Sequence, residues 1–146
     1  MKPEVAGEPR WEDYRLVLLF DGKCGICTRT ARWVRERDTH GTILVIPNQS
    51  PEWRARFSIK PEDAERRVYA IDAGGRVFAG AAAVNRVLEE LGGRRAVVGR
   101  LYRFPPIALI ENAIYPVIAR YRGLLSRWGD RPACDEPDAG CNESLD

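Results

Sequence analysis

Histidine is almost missing from this chain: His40 is the only one among 146 residues, and there is one methionine. A lone histidine in a turn cannot build a His-rich metal centre, and no Ser-His-Asp grouping is visible. Glycines pair at Gly74-Gly75 and Gly92-Gly93, which read as chain punctuation rather than a phosphate-cradling loop. Long apolar runs are also lacking. The longest, Phe104–Ala119, is interrupted by Glu111 and Asn112 and is too short to cross a bilayer. Met1–Glu12 is polar, contains Pro3 and Pro9, and shows no secretory h-region or lipidation motif. These absences together give the expectation of a cytoplasmic protein.

Charge of one sign is not in excess either. The net charge is +2, but Asp130 to Asp146 holds six acids and one base, so that tail is −5 and the rest +7. No basic stripe carries interleaved aromatics, so nucleic acid is not an expected partner. The length suits one domain with a real core.

Cysteine is scarce as well, at four residues, and two of them organise the chain. Asp21-Gly22-Lys23-Cys24-Gly25-Ile26-Cys27 follows the short apolar run Leu16–Phe20, which has the length and composition of a buried strand. After it, Ile26, Thr30, Trp33 and Val34 recur at helical spacing among Arg29, Arg32, Arg35 and Arg37. The cysteines therefore sit where a strand ends and a helix begins. Unpaired N–H groups and the positive end of the macrodipole favour a thiolate there, so Cys24 is expected to be more acidic than the ~8.5 of a free thiol. Cys27, one turn on, can reach its sulfur. We read a redox dithiol in which Cys24, nearer the helix start and more exposed, attacks and Cys27 resolves. Asp21 has two readings: an Asx turn that shapes the loop, or a carboxylate exchanging a proton with Cys27.

Two other readings of the pair stand beside this one. A zinc- or partner-binding module could use the same cysteines as ligands, but structural zinc needs four, and His40, Cys134 and Cys141 offer no second close pair. A redox sensor needs the disulfide without turnover. On the dithiol reading no cofactor is needed beyond the cysteine pair. The expected partners are a disulfide-containing protein or small thiol substrate, and an electron donor.

The motif Leu-Phe-Asp-Gly-Lys-Cys-Gly-Ile-Cys resembles that of the thiol–disulfide oxidoreductase DCC family, named for its Asp, Cys and Cys. Asn48-Gln49-Ser50 is similar to the family's Gln-Ser after the second apolar run, and Arg120-Tyr121-Arg122 to an Arg-Tyr-Arg segment near the end. The resemblance covers roughly Leu16 to Trp128. It implies a thioredoxin-like fold, protein-disulfide oxidoreductase activity, and Asp21, Cys24 and Cys27 as the motif residues. One departure is that no proline directly precedes the third strand, where thioredoxin-like enzymes carry a cis-proline; Pro61 is the nearest before Arg67.

Read in order, residues 1–14 are a loose lead-in and 15–129 a single domain, with a helical extension over 94–129 and an acidic, disordered tail over 130–146. Within the domain, Leu16–Phe20 is a strand, Gly25–Arg37 a helix, and Thr42–Ile46 a parallel strand ended by Pro47. Pro51–Phe57 and Pro61–Arg66 are short helices. Arg67–Ile71 and Arg76–Phe78 flank the hairpin signal Asp72-Ala73-Gly74-Gly75. Ala81–Leu91 is a helix with Val84, Val87, Leu88 and Leu91 on one face. The fold class is thus α/β, a β-α-β-α-β-β-α thioredoxin-like core with an added C-terminal helical segment.

In that segment Arg94–Phe104 reads as a helix broken by Pro105-Pro106. Beyond it Ile110, Ile114, Val117, Ile118, Tyr121, Leu125 and Trp128 form an apolar stripe on a helix kinked at Pro116. The stripe is expected to pack on the domain itself; the competing reading lays residues 107–128 on a membrane or partner protein. Cys134 and Cys141 lack a helix start to activate them, so a chain ending at Trp128 is expected to keep the fold, the disulfide and exchange.

Overall fold

The computed structural model describes residues 10–125, Pro132 and Cys134. Four strands make one sheet: β1 (Leu16–Phe20), β2 (Ile43–Pro47), β3 (Tyr69–Asp72) and β4 (Val77–Ala79), in the order β2-β1-β3-β4. β1 is central and wholly buried, which is why it reads as an unbroken apolar run. It pairs parallel with β2, Phe20 lying opposite Pro47, and antiparallel with β3; β4 closes the edge as a hairpin partner of β3. Helix α1 (Gly25–Arg37) makes the crossover between β1 and β2. Asp38 closes that crossover, its carboxylate accepting the N–H groups of Thr42 and Ile43 at 3.0 and 2.9 Å.

Both faces of the sheet are covered. On one, Leu16, Leu18 and Phe20 pack with Ala31 and Val34 of α1 and with Ala83 and Val87 of α4 (Ala81–Leu91). On the other, Val17, Leu19 and Ile71 meet Ile59 and Ala64, near the short helices α2 (Pro51–Arg56) and α3 (Pro61–Arg66). Alternation along β1 thus feeds two cores, each leucine-sized side chain contributing roughly 1.5–3 kcal/mol. This is the expected thioredoxin-like α/β arrangement.

Several expectations need correction. Strand β3 begins at Tyr69 rather than Arg67, because the Val68 N–H goes to the Tyr115 hydroxyl at 2.9 Å instead of into the sheet. The lead-in is packed from Trp11 onward: Trp11 meets Phe57 edge-on, and Tyr14 lies against the same core. On α4, Val84 is 44% exposed and the buried residues are Ala81, Ala83, Asn85 and Val87. Residues 1–9 lie outside the described residues, as does most of the tail.

Two helices follow α4. α5 spans Gly93–Leu101 and packs closely on α4 through Gly99, where a Cβ would come within 2.5 Å of the Asn85 carbonyl. α6 runs Pro105–Leu125 unbroken through Pro116, with Pro105 at its first position. Its inward side is Glu111, Tyr115, Ala119 and Arg122, one position round from the stripe that was expected to pack. Ile110, Ile114, Val117, Ile118 and Tyr121 are all exposed. Leu125's side chain and Trp128 lie outside what the structure describes.

Candidate functional site

The site lies at the carboxyl ends of β1 and β2. Because these strands are parallel, the residues following each emerge side by side: Asp21–Lys23 after β1, Asn48-Gln49 after β2. The Asn48 N–H donates to the Phe20 carbonyl at 2.7 Å, and its buried side chain donates to the Ala64 carbonyl at 2.6 Å. Gln49 is thereby aimed back at the loop. Its amide oxygen accepts the Gly22 N–H at 2.9 Å, and its amide nitrogen donates to Asp21 Oδ1 at 2.7 Å. The same Oδ1 accepts the Lys23 N–H at 3.0 Å, so Asp21 forms an Asx turn, the first of its two readings. Its Oδ2 faces Arg122 Nη1 at 3.5 Å, which ties the loop to α6.

The turn delivers Cys24 to the N-cap of α1. There its sulfur does what a serine oxygen does elsewhere, accepting the Cys27 N–H at 3.3 Å. The two sulfurs are 2.7 Å apart and neither is in a disulfide. The Cys27 thiol is pushed well above its ordinary range. The hydrogen bond to Cys24 is the first cause; burial and the negative charges of Cys24 and Asp21 add to it, while Arg122 opposes. Exposure runs against expectation. Cys24 is the buried sulfur, at 6% relative exposure, and Cys27 the half-buried one.

Cys27 opens onto a cavity of about 260 Å³ between α1, α4 and α6, with Ile26, Trp33, Val84, Tyr115 and Arg122 among its walls. Tyr115 spans it, its hydroxyl accepting the Val68 N–H and its ring lying against Gly80. Burial raises the Tyr115 phenol, the Val68 bond opposes this, and the Cys27 charge adds to it. Tyr115 was missed from the sequence, where it looked like one more apolar residue of a helix.

Cys134, expected only to be dispensable for fold and exchange, touches the loop. Its N–H donates to the Gly22 carbonyl at 2.9 Å, and its sulfur lies 3.5 Å from Gln49 Oε1. A Cβ on Gly22 would come within 2.6 Å of that sulfur, so only glycine fits the loop here. Cys134 is disulfide-bonded and does not titrate, whereas Cys141 lies outside the described residues. Among the described residues no group of three or more His, Cys, Asp or Glu side chains is arranged to hold a metal ion, and none of the peptide bonds is cis.

The profile of the DCC1-like thiol-disulfide oxidoreductases matches residues 18–128. The chain belongs to that family. It is also similar to an uncharacterised chloroplastic protein of Arabidopsis thaliana, At5g50100, at 30% identity over 127 residues. That match covers 79% of this chain and 54% of the plant protein, so the chain spans about half the length of its curated relative. No solved structure matches it. The family match contains every residue of the loop clamp: Asp21, Gly22, Gln49 and Arg122. No helix among the described residues is long and apolar enough to cross a membrane.

Proposed function

We propose that this protein exchanges disulfides through Cys24 and Cys27, as a protein-disulfide oxidoreductase acting in the reducing direction. The observation that carries the reading is the pairing of the sulfurs, with the Cys27 N–H and the Cys27 thiol both directed at Cys24. An acceptor of two donors at a helix start is the sulfur that ionises first. The Cys24 thiolate attacks one sulfur of a substrate disulfide, forming a mixed disulfide and expelling a substrate thiolate. Cys27 then gives up its proton and attacks Cys24, breaking the mixed disulfide and releasing the second substrate thiolate. Two electrons pass to the substrate, and its two thiolates take up the proton from Cys27 and one from solvent. Asp21 acts as a positioning residue that shapes the turn, and its charge helps keep the proton on Cys27 until that second step.

The burial of Cys24 adds a requirement. We infer that a substrate approaches by the cavity, whose walls include Cys27 but not Cys24, which favours an extended segment carrying the disulfide over a flat protein surface. The zinc-module reading is not supported by the donor set among the described residues.

Incubating the reduced protein with oxidised glutathione tests the proposal. The expected result is two equivalents of reduced glutathione and a Cys24–Cys27 disulfide, neither of which forms in Cys24→Ser. Absence of exchange together with stoichiometric zinc uptake that needs both cysteines defeats it.

A further inference from the structure

Helices α5 and α6 leave an unusual surface uncovered. Of the thirteen large hydrophobic side chains that are exposed among the described residues, eleven lie between Val97 and Leu124, at 48–73% exposure. On α5, Arg94, Val97, Val98 and Leu101 fall at i, i+3, i+4 and i+7, while Ala96 and Gly99 face α4. On α6, Ile110, Ile114, Val117, Tyr121 and Leu124 form the outward stripe. Exposed apolar side chains concentrated in this way on two consecutive helices mark an interaction site.

The charges around it select the occupant. Residues 93–125 contain six arginines and one acid, Glu111, whereas residues 10–92 hold fourteen basic and twelve acidic residues. Glu111 is half-buried and hydrogen-bonded by Asn85, Arg103 pairs with Glu89 and Arg122 with Asp21, so the cations that the two helices present outward are Arg94, Arg95, Arg100 and Arg120. A second copy related by a two-fold axis would set this surface against itself and leave its positive charge unopposed. A bilayer with anionic headgroups opposes it and receives the apolar side chains between the arginines.

We propose that α5 and α6 are a docking face for an anionic lipid bilayer, on which the protein lies without crossing it. The test is sedimentation of the full chain with vesicles of phosphatidylcholine alone or mixed with phosphatidylglycerol, at low and high salt. The expected outcome is binding to the mixed vesicles that salt weakens, with little binding to the neutral ones. Arg94→Gln and Arg100→Gln should each weaken it about fivefold. Val98→Asp and Val117→Asp should abolish it while leaving glutathione exchange and the circular dichroism spectrum unchanged. Equal binding to both vesicle types, or none to either, overturns the proposal. Sedimentation as a dimer that Val117→Asp dissociates, with no vesicle binding, overturns it in favour of contact between copies.

Discussion

The side-chain amide of Gln49 donates to Asp21 Oδ1 at 2.7 Å, across 28 positions of sequence. With its oxygen on the Gly22 N–H it holds Asp21 and Gly22, the first two residues of the turn that presents Cys24. Gln49→Ala leaves that buried N–H without a partner, which costs about 1–3 kcal/mol. The expected outcome is a lower midpoint in urea unfolding and slower exchange, with Gln49→Glu restoring the Gly22 acceptor but setting a second carboxylate beside Asp21. If both variants match the parent protein in stability and rate, the clamp has no role.

Cys27→Ser is expected to accumulate a mixed disulfide with substrate, and Cys24→Ser to give none. The ground is the hydrogen bonding of the pair, in which Cys24 accepts and Cys27 donates. Burial argues the other way, since Cys27 is the sulfur that meets the cavity. Mass spectrometry of the trapped species decides between them: a complex through Cys27 in Cys24→Ser reverses the roles.

The pH dependence has a definite sign. Cys27 holds its proton in the folded protein well above the pH at which an unfolded thiol, ~8.5, loses it. The folded state therefore binds more protons than the unfolded state above that pH, and stability of the reduced protein falls as pH rises. Unfolding midpoints measured from neutral to alkaline pH should show a slope that Cys27→Ala lacks. Asp21→Asn removes one of the charges holding that proton, so alkylation of Cys27 should begin at lower pH. An unchanged profile would show that the carboxylate serves the turn alone.

Truncation after Trp128 removes the Cys134 N–H bond to Gly22. The fold and disulfide exchange are still expected to survive, because the clamp of Gln49, Asp21 and Arg122 lies before the cut. The loop loses a cover, however, so iodoacetamide should modify Cys24 faster than in the full chain. Folded protein without turnover would instead make the tail part of the reaction.

The sequence by itself determined the order of elements, the two-sided burial of Leu16–Phe20 and the seat of the cysteines at a helix start. These are local properties: period, composition and a turn residue at each boundary suffice to specify them. The resemblance also pointed to Gln49 and Arg122, without saying what they touch. That was decided by tertiary structure, because parallel pairing of β1 and β2 and the return of α6 bring residues distant in sequence to one loop. The exposure of Cys24 and of the α6 stripe was misjudged for the same reason. A helix sequence shows an apolar face, but which face meets a neighbour depends on the few residues that bond across: here Tyr115 to Val68, Glu111 with Asn85, and Arg122 with Asp21. Those contacts turn α6 so that Ile110, Ile114 and Val117 look outward.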